Sequence, residues 1–223
     1  MMICPLSVYD KLRDKSVEEI KSAIRGFKQT IGRLKKKIER ERFFPADILI
    51  CPSDEVILSC TRDYLNMAYQ ALTEKGMDYI LSKAEAKSLE FEGNIENIRF
   101  IRLRIGEWCQ PQWYDLEIID DKVMFISTPS SIQIEGKQLT TETLFYGLKR
   151  LYIGEWKHYY SPERFGVCIL DGIQWDLEIE YANGKKKTWG GSNDYPYNFE
   201  ELLSLIGIKD LYVDLFEEEE LND

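Results

Sequence analysis

The sequence predicts an α+β protein. An antiparallel helical hairpin of coiled-coil character occupies residues 1–80, and an antiparallel β-sheet packed with one or two helices occupies residues 81–223 and ends in an acidic tail. Three observations carry this reading. Apolar residues recur at alternating spacings of four and three through residues 20–38, the period of a helix with one buried seam. From Ile101 onward, apolar and charged residues alternate with period two, as in strands with one wet face. The change of period falls near residue 80, and 223 residues suffice for one substantial core or two modest ones.

Ser16 followed three residues later by Glu19 is a capping box, and it opens the first helix. Its seam is Ile20, Ile24, Phe27, Ile31, Leu34 and Ile38. Pro45 and Pro52 bracket a connector, after which Ser53 caps a second helix with a seam of Ile57, Cys60, Tyr64, Met67 and Ala71, ending at Gly76. The two seams are expected to satisfy each other; a homodimer through the hairpin is the alternative. Residues 16–42 hold nine lysines and arginines against four glutamates, a local +5, so the remainder carries −15. No aromatic residue interleaves with the basic run, which points to a solvated face, with pairing to the acidic tail as a further option.

In the second region "NIRFIRLRIGEW" is a half-buried strand, and "WYDLEIIDDKVMFIS" is a hairpin turned at Asp120 and Asp121. "TTETLFYGLKRLYIG" follows as a helix capped by Thr140 or Thr141, with Leu144, Leu148 and Leu151 on one face and Gly154 as its stop. In "QWDLEIEYANGKKKTWGG", Trp175, Leu177, Ile179 and Tyr181 alternate with Asp176, Glu178 and Glu180. Reading Asn183-Gly184 as a two-residue type I′ turn sets Glu180 against Lys187 and Glu178 against Trp189. Trp189 then lies on the face away from Trp175, either covered by another element as core or exposed as an anchor.

"GGSNDYPYNFEELLSLIG", residues 190–207, combines paired glycines, aromatic rings and small polar groups as a binding loop would. Each has a local duty instead. Gly190 and Gly191 release the chain from the hairpin, Pro196 keeps Tyr195 extended, Asn198 caps a helix carrying Leu202, Leu203 and Ile206, and Gly207 stops it. "RLRIGEW" at 102–108 matches "RLYIGEW" at 150–156, and "DLEI" recurs at 115–118 and 176–179, which allows a duplicated hairpin-helix unit.

Composition removes several functional classes. A single histidine, His158, leaves no room for a multi-histidine metal centre and makes any triad depend on that one ring. Five scattered cysteines without a Cys-x-x-Cys pair read as reduced thiols, neither a disulfide frame nor a zinc site. The formal net charge of −10 argues against a nucleic-acid binder, and no Gly-x-x-x-x-Gly-Lys loop is present for phosphate. No apolar run spans a bilayer and the first residues lack a signal-peptide pattern, so a cytoplasmic location is expected. No cofactor and no metal are expected.

Residues 148–207, with an Ile-Gly-Glu-Trp turn, an Asp-Gly-x-x-Trp strand and the Gly-Ser-Asn-x-Tyr-Pro approach to a helix, resemble the carboxyl-terminal region of a set of uncharacterised Firmicutes proteins. That resemblance implies a bacterial cytoplasmic protein and brings no activity. The functional expectation is a non-catalytic protein that binds or regulates a protein partner, with Trp189, Glu178, Tyr195, Trp156 and Trp108 as interaction candidates. An acidic inhibitor or nucleic-acid mimic is one alternative, its instrument the tail "DLYVDLFEEEELND". A hydrolase working with carboxylates alone, drawn from Asp171, Asp176, Glu178, Glu155 and Asp194, is the other.

Overall fold

A computed structural model describes residues 4–45, 51–107, 109–127 and 139–208. The chain divides into two compact units, Met1–Ser82 and Lys83–Asp223.

The first unit contains α1 (Pro5–Arg13), α2 (Val17–Glu41) and α3 (Asp54–Glu74). At the start of α2 the Ser16 hydroxyl accepts from the Glu19 N–H (3.3 Å), while the Glu19 carboxylate accepts from the Ser16 N–H (3.0 Å). That backbone hydrogen bond, with help from Lys15 and the Ser16 hydroxyl, lowers the Glu19 pKa to about 2. The expected seam of α2 is buried at Ile20, Ile24, Ile31, Leu34 and Ile38, with Phe27 half-buried 6.0 Å from the Tyr64 ring.

The seam of α3 differs from expectation by one residue. Leu58, Thr61, Ala68 and Leu72 are buried together with Ala71, whereas Ile57, Cys60, Tyr64 and Met67 are only half-buried. The cause is α1, which the sequence reading missed because it is short and begins at Pro5 without a side-chain cap. Helix α3 packs against both α1 and α2, so it needs a wider apolar face than a two-helix seam provides. Ala68 and Ala71 give the room, and Tyr9 and Leu12 of α1 pack onto the same cluster. Beyond α3, Tyr79 returns over Lys28, whose ammonium lies 3.8 Å from the Tyr79 ring centroid and 5.5 Å from that of Tyr69. Ile24→Ala should cost about 2–5 kcal/mol of unfolding free energy for a cavity in this cluster, and Met67→Ala distinctly less, as read by chemical denaturation.

The second unit runs α4 (Lys83–Gly93), β1 (Ile98–Glu107), β2 (Gln110–Ile119), β3 (Lys122–Ser127), α5 (Thr141–Arg150), β4 (Tyr159–Tyr160), β5 (Ile173–Tyr181), β6 (Lys186–Ser192) and α6 (Phe199–Leu205). Short 3-10 turns precede β1, follow α5 and follow β4. The sheet order is β3-β2-β1-β5-β6-β4, antiparallel except for the β4–β6 pair. Alternation sends Ile101, Leu103 and Ile105 of β1, Tyr114, Leu116 and Ile118 of β2, and Trp175, Leu177 and Ile179 of β5 to one face. Phe91, Ile95, Leu144, Leu148, Phe199, Leu202 and Leu203 cover that face in a single core.

The predicted turn at Asp120-Asp121 is present, both residues with positive φ. Helix α5 is capped by Thr140 through the Thr143 N–H (3.2 Å), but its left-handed stop is Tyr152, φ 49°, and not Gly154. Gly154 lies too close to Ser88 for any side chain, 2.8 Å from its backbone to where a Cβ would sit. Gly207 stops α6 as expected, with the Ile208 N–H bonded to the Leu203 carbonyl (2.8 Å).

The β5–β6 register corrects the predicted one. Leu177 opposes Trp189, Glu178 opposes Thr188 and Glu180 opposes Lys186. The turn has three residues, Ala182, Asn183 and Gly184, and only Gly184 has positive φ (76°). The Gly184 N–H donates to the Tyr181 carbonyl (2.8 Å) and the Tyr181 N–H to that of Lys185 (2.9 Å), so the extra residue sits as a glycine bulge. The Ala182 N–H, which a two-residue turn would use in the ladder, instead reaches the Asn97 carbonyl (2.8 Å). One residue of slip moves Trp189 to the core face, where its ring meets Phe91 edge-on at 5.5 Å.

Hairpin followed by helix does occur twice, as β2-β3-α5 and β5-β6-α6. The two hairpins lie on opposite sides of β1 with the same face buried, and β2 and β5 both run antiparallel to it. That relation is a mirror one, which no rotation of an L-chain can produce. The repeat is one of element order and not of a superposable unit.

Two core tyrosines are energetically distinctive. Burial pushes the phenols of Tyr114 and Tyr181 up to about 12. Tyr114 Oη donates to Gln112 Oε1 (2.7 Å), while Tyr181 Oη is buried without a hydrogen-bond partner among the described residues. Both raised values favour the neutral form, so their contribution to stability is complete below pH 10 and is lost as pH rises toward 12. Absorbance titration should show two late-ionising tyrosines with unfolding in that interval. Tyr181→Phe should leave stability equal or higher, because it removes an unsatisfied buried hydroxyl.

Candidate protein-interaction surface

Because α4, α5 and α6 all contribute to the one core, the second unit places no described helix on the opposite face of its sheet. The residues in the other phase of the strands meet there. Cross-strand pairing builds successive rows: Phe100 beside Glu117 and Glu180, Arg102 beside Asp115 and Glu178, and Arg104 beside Trp113 and Asp176. Most of these charges are paired within the sheet; Glu117 has no ion-pair partner among the described residues. Arg102 grips Asp115 with two hydrogen bonds (2.8 and 2.7 Å), and Arg104 Nε donates to Asp176 (2.7 Å). Lys186 bridges Glu178 (2.9 Å) and Glu180 (3.1 Å). These hydrogen bonds raise the pKa values of Arg102, by Asp115, and of Lys186, by Glu178 and then Glu180.

Next to this charged ladder lies an apolar flank. Trp113 is 42% exposed, Ile119 42%, Met124 51% and Ile126 58%, all on β2 and β3. The guanidinium groups of Arg102 and Arg104 lie 5.5 and 5.9 Å from the Trp113 ring. A face that combines exposed tryptophan and methionine with arginines already paired to carboxylates has the composition of a protein interface.

Three of the five expected interaction residues are placed elsewhere. Trp189, Tyr195 and Trp156 are all buried, at 8%, 7% and 6% exposure. Glu178 does lie on the open face, tied to Lys186. Trp108 lies outside the described residues. Trp113 was missed although its phase was legible: in "QWYDLEII" it shares parity with Asp115 and Glu117, against Tyr114, Leu116 and Ile118. A tryptophan in the charged phase of a strand is the signal.

The stretch 190–198 is structural, as argued from its sequence, but by different contacts. Gly191 faces Trp175, and a Cβ there would stand 2.5 Å from the indole nitrogen. Trp175 Nε1 donates to the Asp194 carbonyl (2.8 Å), and its ring packs against Phe199 (4.6 Å), Tyr160 (6.0 Å) and Trp156 (6.3 Å). The fully buried Asp194 carboxylate is held by the Arg164 guanidinium (2.8 Å from Nη2) and by the Tyr195 N–H (2.9 Å). The Asn193 amide oxygen accepts from the Ile173 N–H (2.8 Å), and Ser192 accepts from Gln174 (2.6 Å). Asn198 occupies the cap position of α6, yet its side chain bridges Trp156 Nε1 (3.0 Å) and the Leu151 carbonyl (2.7 Å).

The proposed acid/base set is likewise engaged. Asp176 and Asp194 are bound by arginines, Glu178 by a lysine, and Asp171 accepts from the Gly172 N–H (2.9 Å). His158 is exposed, its Nδ1 donating to the Thr188 carbonyl (3.0 Å). Among the described residues no group of three or more histidines, cysteines and carboxylates is placed to hold a metal ion. No described helix is long and apolar enough to cross a membrane. A concavity of about 520 Å³ at the Asp120-Asp121 end of the sheet is lined by Arg99, Glu96 and Phe145 among others and holds no nucleophile paired with a base. The chain matches no protein-family model, no curated protein and no solved structure.

Asp115 is 8% exposed and Asp176 lies in solvent, which separates the two arginines energetically. Arg102→Ala strands a buried carboxylate and should cost about 1–3 kcal/mol in chemical denaturation. Arg104→Ala should cost no more than about 1 kcal/mol.

Proposed function

We propose that the protein is a non-catalytic interaction module of a bacterial cytoplasm that receives a protein partner on the open face of its sheet. The observation that carries this is the exposure of Trp113, Ile119, Met124 and Ile126 on a face that no described helix covers and on which both arginines and Lys186 are already paired with carboxylates. Pairing makes such a face cheaper to desolvate, since Arg102, Arg104 and Lys186 already have carboxylate partners when a partner displaces water. Trp113 is the natural anchor, because it is rigid, half-exposed and held between two arginines. The earlier candidates Trp189, Tyr195 and Trp156 serve the core that keeps this face flat.

The test is a double substitution, Trp113→Ala with Ile126→Ser, in the full chain, followed by affinity capture from a native bacterial lysate and a thermal melt. Loss of the captured partner by thirtyfold or more, equivalent to about 2 kcal/mol, is expected with only a small change in Tm. Undiminished capture would reject the face as the binding surface. Turnover of a substrate that disappears in Asp176→Asn would reject the non-catalytic reading itself.

A further inference from the structure

Helix α2 has a second face that the hairpin does not use. Arg25, Gln29, Arg33, Lys36 and Arg40 are all exposed and fall within about 80° of arc at 100° per residue, extending about 22 Å along the axis. The other cations of α2 are engaged: Lys21 with Glu18, Lys37 with Glu41 and Asp54, Lys28 with two tyrosine rings, and Lys35, which also has an interaction within the chain. Arg25, Arg33, Lys36 and Arg40 have no carboxylate partner among the described residues, and only Arg40 has a ring neighbour, Phe44 at 5.5 Å. The stripe also passes Gly32, and Gly26 lies at its margin. Both are exposed, and a Cβ at either would meet nothing within 4 Å. Glycine in an exposed helix interior costs about 1 kcal/mol relative to alanine, and no contact among the described residues accounts for these two.

We infer that this stripe binds the phosphate backbone of a nucleic-acid duplex, without sequence preference. Charge complementarity is the first argument: four uncompensated cations, three of them arginines suited to bidentate phosphate contacts, form one row. The second is what the row lacks. Within α2 it has no apolar or aromatic anchor, which a protein partner would need; the exposed ring of Phe44, beside Arg40, lies past the helix end and is a single ring, too few for a track of stacked unpaired bases. A helix of this diameter fits the major groove, and the missing side chains at Gly26 and Gly32 leave space where a sugar-phosphate ridge would pass. The whole-chain charge of −10 opposes this binding and makes it weak and strongly salt-dependent; the local +5 of residues 16–42 favours it.

Titration of the full chain into a labelled 20-base-pair duplex from about 30 to 150 mM salt tests the inference. Four phosphate contacts predict a log–log slope of about −3.6, and Arg33→Gln with Lys36→Gln should reduce its magnitude by about 1.8. Circular dichroism of that variant should stay unchanged, because both positions are exposed. Three results would overturn it: no duplex binding at the lowest salt, a slope unaffected by the double substitution, or tighter binding of poly-glutamate than of the duplex, which would assign the stripe to an acidic protein. The open sheet face is untouched by these substitutions, so its own test is independent.

Discussion

A sheet with one apolar face has to be covered once, and the second unit is organised around that requirement. Strand β1 sits at its centre, with Ile101, Leu103 and Ile105 inward and Arg102 and Arg104 outward. Direct cross-strand partners share a face, so β2 and β5 must match β1 in phase or bury charge. They do match, through the same four residues, Asp-Leu-Glu-Ile, used once on each flank. The helices then have one place to go, and on the opposite face Arg102, Arg104 and Lys186 are paired with carboxylates of neighbouring strands.

The aromatic cluster around Trp175 holds the cover to the sheet. Its indole N–H is satisfied by the Asp194 carbonyl, which fixes the loop between β6 and α6. Asp194 in turn draws Arg164 from the turn after β4, and Asn198 draws Trp156 and Leu151 from the end of α5. Four otherwise separate chain segments are thus fastened by polar contacts inside an apolar shell, where an unmet donor or charge would be costly. The density of aromatic and small polar residues at 190–198 reflects this fastening. A loop selected for ligand chemistry would keep some of those groups available, and here each contributes to positioning.

The hairpin β5–β6 shows how local turn preference yields to packing. Asn-Gly favours a two-residue type I′ turn, and nothing adjacent contradicts it. In the folded chain a three-residue turn is used, the Ala182 N–H finds the Asn97 carbonyl, and Trp189 moves from the open face into the core beside Phe91. Burying a large ring and completing a backbone hydrogen bond outweigh a turn preference. The same competition explains α3, whose buried stripe is displaced by one residue once α1 occupies its flank.

What the sequence determined by itself is the set of decisions made over short distances. The capping box at Ser16, the seam of α2, the phases of β1, β2 and β5, and the left-handed turns at Asp120-Asp121 and Gly207 all follow from neighbours within a few residues. Even the exposed Trp113 was present in its strand as a tryptophan in the charged phase. The tertiary structure decided what depends on distant partners: the register of β6, the sharing of α3 between two helices, the opposite hand of the two hairpins, and which aromatic residues remained outside. The physical reason is that alternation states which residues share a face, but only the pairing of strands and the placing of helices states which face is covered.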